Sequence, residues 1–89
     1  MEIKDVKEII YKTVCNIQEL SGRSLPSDFC DTLVPIGDVD GFDSLNAVEV
    51  TAQLAEKFEC TISGNPFVSG NNPLTIEQIA QNLLGKMNK

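Results

Sequence analysis

Apolar residues recur at helical spacing from the start of the chain. Ile3, Val6, Ile10, Val14, Ile17 and Leu20 form one stripe, broadened by Ile9, while Glu2, Lys4, Asp5, Lys7, Glu8, Lys12 and Glu19 take the other faces. Ser21-Gly22 is a stop signal, so a long amphipathic helix is expected over about 3–20. A second helix is expected from Ser44. Its polar stripe is Asn46, Glu49, Gln53, Glu56 and Lys57. Leu45, Val48, Ala52 and Ala55 flank that stripe on one side, and Ala47, Val50, Leu54 and Phe58 on the other. An apolar arc of that width suits a central bundle helix with neighbours on several sides.

The last helix has the clearest start. Thr75 and Gln78 stand at capping-box spacing, with Leu74 and Ile79 placed as a hydrophobic staple. Ile76, Ile79, Ala80, Leu83, Leu84 and Met87 make its buried stripe. Between the first two helices, residues 22–43 hold Pro26, Pro35, Gly37 and Gly41, all breakers of regular structure. Ser27 is placed to cap a helical turn through Leu33, and Phe29, Leu33, Val34 and Ile36 are expected to fold inward. Residues 59–73 turn to Gly, Asn, Ser and Pro, where Asn65-Pro66 reads as the start of one short helical turn ending at Gly70. No run alternates well enough for a sheet, and Thr61-Ile62-Ser63 is too short. The expected fold is all-α: a small bundle of three main helices, a short turn or helix in third position, and a long loop after helix one.

Composition limits what such a bundle can do. The 89 residues fit a single domain spanning 1–89. Acids outnumber bases 13 to 7, a formal charge of −6, which repels phosphate backbones and favours basic partners. No nucleic-acid partner is expected. There is no His, which excludes a Ser–His pair and a His-ligated metal. A binding or carrier module is therefore expected rather than an enzyme. Cys15, Cys30 and Cys60 are odd in number and widely spaced, the pattern of reduced thiols in a cytoplasmic protein. Cys15 and Cys60 read as packing residues, and Cys30 as the one nearest the surface. The charged, quickly alternating first residues do not read as a signal peptide, and no apolar run reaches membrane-spanning length.

The candidate chemistry lies in Gly37-Asp38-Val39-Asp40-Gly41-Phe42-Asp43-Ser44-Leu45. As a calcium loop with Gly41 at the invariant glycine, it puts Ile36 and Ala47 at the two terminal ligand positions, where oxygen donors are required. That reading fails at both ends. Ser44 as a nucleophile fails for want of a base and of a G-x-S-x-G elbow. Ser44 as a substrate of another enzyme is consistent: it stands where a Gly-bearing loop runs into a helix, with Asp43 as N-cap, and a phosphate there meets unpaired N–H groups and the positive end of the helix dipole. Plain helix capping by Asp43-Ser44 is the alternative for the tripeptide taken alone.

At this point the chain resembles the acyl carrier protein family. Gly41-Phe42-Asp43-Ser44-Leu45 is similar to its G-x-D-S-L signature, and the likeness continues through Val48-Glu49 and Leu54-Ala55-Glu56-Lys57-Phe58 to Ile62. It extends more loosely to helix one, the closing helix, the length and the acidic balance. The resemblance implies covalent phosphopantetheine on Ser44, with Asp43 and Leu45 as its recognition neighbours. It also implies an acidic face including Glu49 and Glu56, read by basic patches on a phosphopantetheinyl transferase and on acyl-transferring and synthase enzymes. For the two glutamates the alternative is a plain solvated helix face. A non-catalytic monomer without a membrane partner is implied, holding acyl groups as thioesters for fatty acid or specialised acyl or polyketide synthesis.

The sequence also departs from the family pattern. Asn46, Ala55 and Lys57 stand where many members carry acids, the loop before Asp43 is enlarged, and 64–72 is Gly- and Asn-rich in place of an acidic third helix. A dedicated pathway is the implication. Ala47, Ala52 and Ala55 either leave room for an acyl chain or pack closely against neighbours. Two alternatives stay open: an aminoacyl or peptidyl carrier using the same arm, and an unmodified interaction module with an acidic binding face.

Overall fold

The protein is described by a computed structural model covering residues 2–25, 30–62 and 64–87. It is mostly helical, with the long helices α1 (Ile3–Leu20), α3 (Ser44–Phe58) and α4 (Ile76–Met87). A four-residue helical turn α2 (Pro35–Asp38) and the two-residue strands β1 (Val68–Ser69) and β2 (Asn72–Pro73) complete the elements. The bounds of the three long helices follow the apolar periodicity. Glu2 and Asp5 form a reciprocal capping box at the start of α1, and Thr75 and Gln78 form another at α4, with bonds of 3.0 and 3.2 Å. α1 ends in a Schellman motif: Gly22, at φ +68°, donates to Glu19 O, and Arg23 N–H reaches back to Gln18 O.

α1 is the element against which both α3 and α4 pack. Val6, Ile10, Val14 and Ile17 meet Ala47, Val50 and Leu54 of α3 and Ile76, Ile79, Ala80 and Leu83 of α4 in one core. Lys57 Nζ donates to the buried Thr13 Oγ1 at 2.9 Å, tying α3 to α1. The expected central role of α3 is thus corrected. Only its Ala47–Val50–Thr51–Leu54 face is buried; Leu45 (74% accessible), Val48 (55%) and Ala52 face outward. Periodicity shows that a stripe is apolar, but burial depends on a neighbour being there, and this side of α3 has none among the described residues. Ala52 therefore lines no interior; Ala47 is buried in the core and Ala55 is half-buried.

The connections differ from expectation in two places. The helical turn expected from Ser27 begins outside the described residues. Instead, α2 closes at Pro35–Asp38, through Asp38 N–H to Val34 O and Val39 N–H to Pro35 O. Pro35 stands at the first position, where proline starts a helix rather than breaking it, and the break expected of Gly37 is seen in the non-helical torsions of Ile36 and Gly37. The short helical turn expected over 65–70 is replaced by a hairpin. β1 and β2 pair antiparallel, Val68 with Pro73 and Ser69 with Asn72. Gly70, at φ +61°, opens the two-residue loop, and Gly-Asn is a hairpin dipeptide for that reason. The hairpin is short, but its leading residue Phe67 is fully buried and sets its ring 5.8 Å from that of Phe42. Among the described residues, no helix is long and apolar enough to cross a membrane.

Candidate functional site

The segment 41–45 is built from one buried anchor and one exposed end. Phe42 sits in the core against Phe67, and its N–H donates to Val39 O at 3.1 Å. Asp43 is extended and caps α3, its Oδ1 accepting Asn46 N–H at 3.1 Å while Asn46 Oδ1 accepts Asp43 N–H at 3.3 Å. Ser44 is the first helical residue and is exposed, as are Asp43 and Leu45. The cap uses the third amide of the helix and the next donates to Asp43 O, whereas the amides of Ser44 and Leu45 donate to no group among the described residues. Ser44 Oγ likewise has no partner there. The result is an accessible hydroxyl at the positive end of a 15-residue helix, beside two amides that have no partner among the described residues.

Two carboxylates of this segment, those of Asp38 and Asp43, are used locally, while Asp40 is held through its backbone. Asp38 Oδ2 accepts Val34 N–H at 2.9 Å, Asp43 caps α3, and the backbone carbonyl of Asp40 accepts a side-chain amide from α1. No group of three or more His, Cys, Asp or Glu residues arranged for a metal occurs among the described residues. The three cysteines are free thiols; Cys30 is exposed, Cys15 and Cys60 half-buried.

Glu49 and Glu56 are exposed on α3, two turns apart, and enter no ion pair among the described residues. Exposed Leu45 and Val48 lie on the same helix as these carboxylates. Ser44, Leu45, Val48 and Glu49 thus present a hydroxyl, an apolar patch and a negative charge within the first two turns.

Two residues that sequence reasoning passed over hold this segment from behind. Gln18 of α1 is fully buried; its Nε2 donates to Asp40 O at 2.6 Å and Ser24 O at 2.9 Å, leaving Oε1 without a partner. Arg23 donates through Nη1 to Gly41 O and to Asn46 Oδ1. A polar residue inside an amphipathic helix and a lone arginine past its end carry no periodic signal; only the fold brings them to 40–46. Compared with family models, with curated proteins and with solved structures, the chain matches none.

Proposed function

We propose that this protein is an acyl carrier, modified on Ser44 by phosphopantetheine and serving partner enzymes without catalysing a reaction itself. The observation that carries the reading is the exposed Ser44 hydroxyl at the first position of α3, beside the amides of Ser44 and Leu45, which have no partner among the described residues. A phosphodiester on that oxygen would have N–H donors and the positive helix end beside it, which would stabilise its charge. In the modification, Ser44 Oγ forms a bond to phosphorus, its proton passes to a base of the transferase, and the adenosine bisphosphate half of coenzyme A leaves. The bound arm supplies a thiol on which an acyl group is held as a thioester.

This chain's residues do the presenting. Asp43 and Asn46 fix the helix start, Phe42 anchors the loop to the core, and Leu45 and Val48 offer a small apolar contact beside Glu49. Glu49 and Glu56, exposed and without an ion pair among the described residues, suit enzymes with basic patches. In this reading the bundle is a cytoplasmic monomer, and the hairpin at 68–73 stands where the family has a helix.

Incubation with coenzyme A and a promiscuous phosphopantetheinyl transferase, followed by intact-protein mass spectrometry, tests the reading. One phosphopantetheinyl group is expected on wild type and none on Ser44→Ala. The same gain on Ser44→Ala would overturn the site. No gain on wild type, with a known carrier modified in parallel, would favour an unmodified interaction module.

A further inference from the structure

Arg23 is the chain's single arginine, and the fold aims it at the turn that presents Ser44. The Schellman motif ending α1 reverses the chain at Gly22, and the guanidinium then spans the gap to α3. One nitrogen, Nη1, donates both to Gly41 O and to Asn46 Oδ1, the latter at 3.1 Å. The same Asn46 oxygen accepts Asp43 N–H, so the guanidinium braces the capping box from outside. Gly41 makes room for it: a Cβ there would lie 2.5 Å from Arg23 Cδ and 2.9 Å from Nη1. The glycine of the 41–45 motif is required by the left-handed turn, at φ +67°, while the side chain lying against it is flexible and could give way.

The helix dipole does not favour Arg23 at this place. A cation at a helix N-terminus faces the positive end of the dipole, an unfavourable placement. What holds it is the pair of oxygen acceptors, and what it gains is a fixed path from Gly41 to Asn46. Gln18 independently secures the neighbouring Asp40 carbonyl from inside the core. Loss of Arg23 therefore leaves the loop attached and releases only its last segment.

Resting on the carrier reading of Ser44, we propose that Arg23 is a positioning residue for the modification: it fixes the 41–46 turn so that Ser44 Oγ is presented in one geometry to the transferase. Both bonds leave a single nitrogen, so a lysine ammonium, one bond shorter but flexible and carrying three donors, can approach both acceptors, whereas a glutamine amide, two bonds shorter, is too short to bridge them.

The test uses the full chain as wild type, Arg23→Gln and Arg23→Lys, first by amide hydrogen exchange and then by modification kinetics at saturating coenzyme A. In Arg23→Gln, exchange at Asn46 and Ala47 is expected to rise about tenfold while core amides keep their protection. kcat is expected to fall about tenfold with KM for the carrier nearly unchanged, and Arg23→Lys to recover most of both losses. Unchanged exchange at Asn46 and Ala47 would overturn the proposal. So would a raised KM at unchanged kcat, which would make Arg23 a docking contact. Failure of wild type to be modified beside a working control would remove the carrier reading and this role with it, while the exchange data still decide whether the brace exists.

Discussion

Two helices of this protein begin with the same device and put it to opposite use. At α4, Thr75 and Gln78 cap each other, and the first helical amides are consumed by the connection between α1 and α3: Ile76 N–H donates to Leu33 O at 2.8 Å and Glu77 N–H to Asp31 O at 3.2 Å. Lys7 of α1 adds ion pairs to Asp31 and Glu77, and Ile76 and Ile79 are buried. At α3, Asp43 and Asn46 cap each other, yet the amides of Ser44 and Leu45 stay free among the described residues and the first turn faces outward. A cap sets where a helix starts, while the neighbours decide whether that start is structural or available. One start is closed by the fold. The other is left open and braced from behind.

The two helix starts should differ most in their response to modification. Ser44→Ala is expected to abolish transfer of the phosphopantetheinyl group, whereas Ile79→Ala, kept below its unfolding temperature, still accepts it; mass spectrometry reads both. On stability the order reverses. Ile79→Ala removes a fully buried side chain and should cost about 2–5 kcal/mol in urea unfolding, against less than about 0.5 kcal/mol for the exposed Leu45→Ala. If Leu45→Ala proved equally costly, the outward stripe on α3 would have to be packed.

The two caps should be nearly equivalent in energy. Asp43→Ala and Thr75→Ala are each expected to cost about 0.5–2 kcal/mol, but only Asp43→Ala should also slow modification. A smaller contrast lies at the helix ends. α1 stops at Gly22 in the left-handed region, while α3 stops at Glu59, the one non-glycine with positive φ (53°) among the described residues. Glu59→Gly should therefore gain about 0.5–1 kcal/mol, seen as a raised melting temperature with transfer unchanged. Smallest of all, Lys7→Met removes partly exposed ion pairs and should cost at most about 1 kcal/mol, less at high salt.

Much of this architecture is legible in the residues themselves. The bounds of α1, α3 and α4, the stop at Gly22, the caps at Asp43 and Thr75 and the exposed position of Ser44 all follow from local rules. They are rules about neighbours three or four positions away, and such neighbours are certain once a helix forms. The hairpin at 68–73 was legible in part: Gly70-Asn71 is a turn signal, but two-residue strands give no alternation to detect, and Asn65-Pro66 offered a competing helical start.

What the sequence determined by itself is therefore the set of helices, their apolar faces and the serine at the head of α3. Only the tertiary structure decided which apolar face is used. α3 and α4 both lean on α1, so Leu45 and Val48 are left outside although their spacing equals that of buried residues. It also decided that Phe67 and Phe42 meet, and that Gln18 and Arg23 reach across 22 and 18 positions to hold Asp40 and Gly41. No periodicity encodes such pairings, because partners far apart in the chain become neighbours only after the helices have chosen their packing.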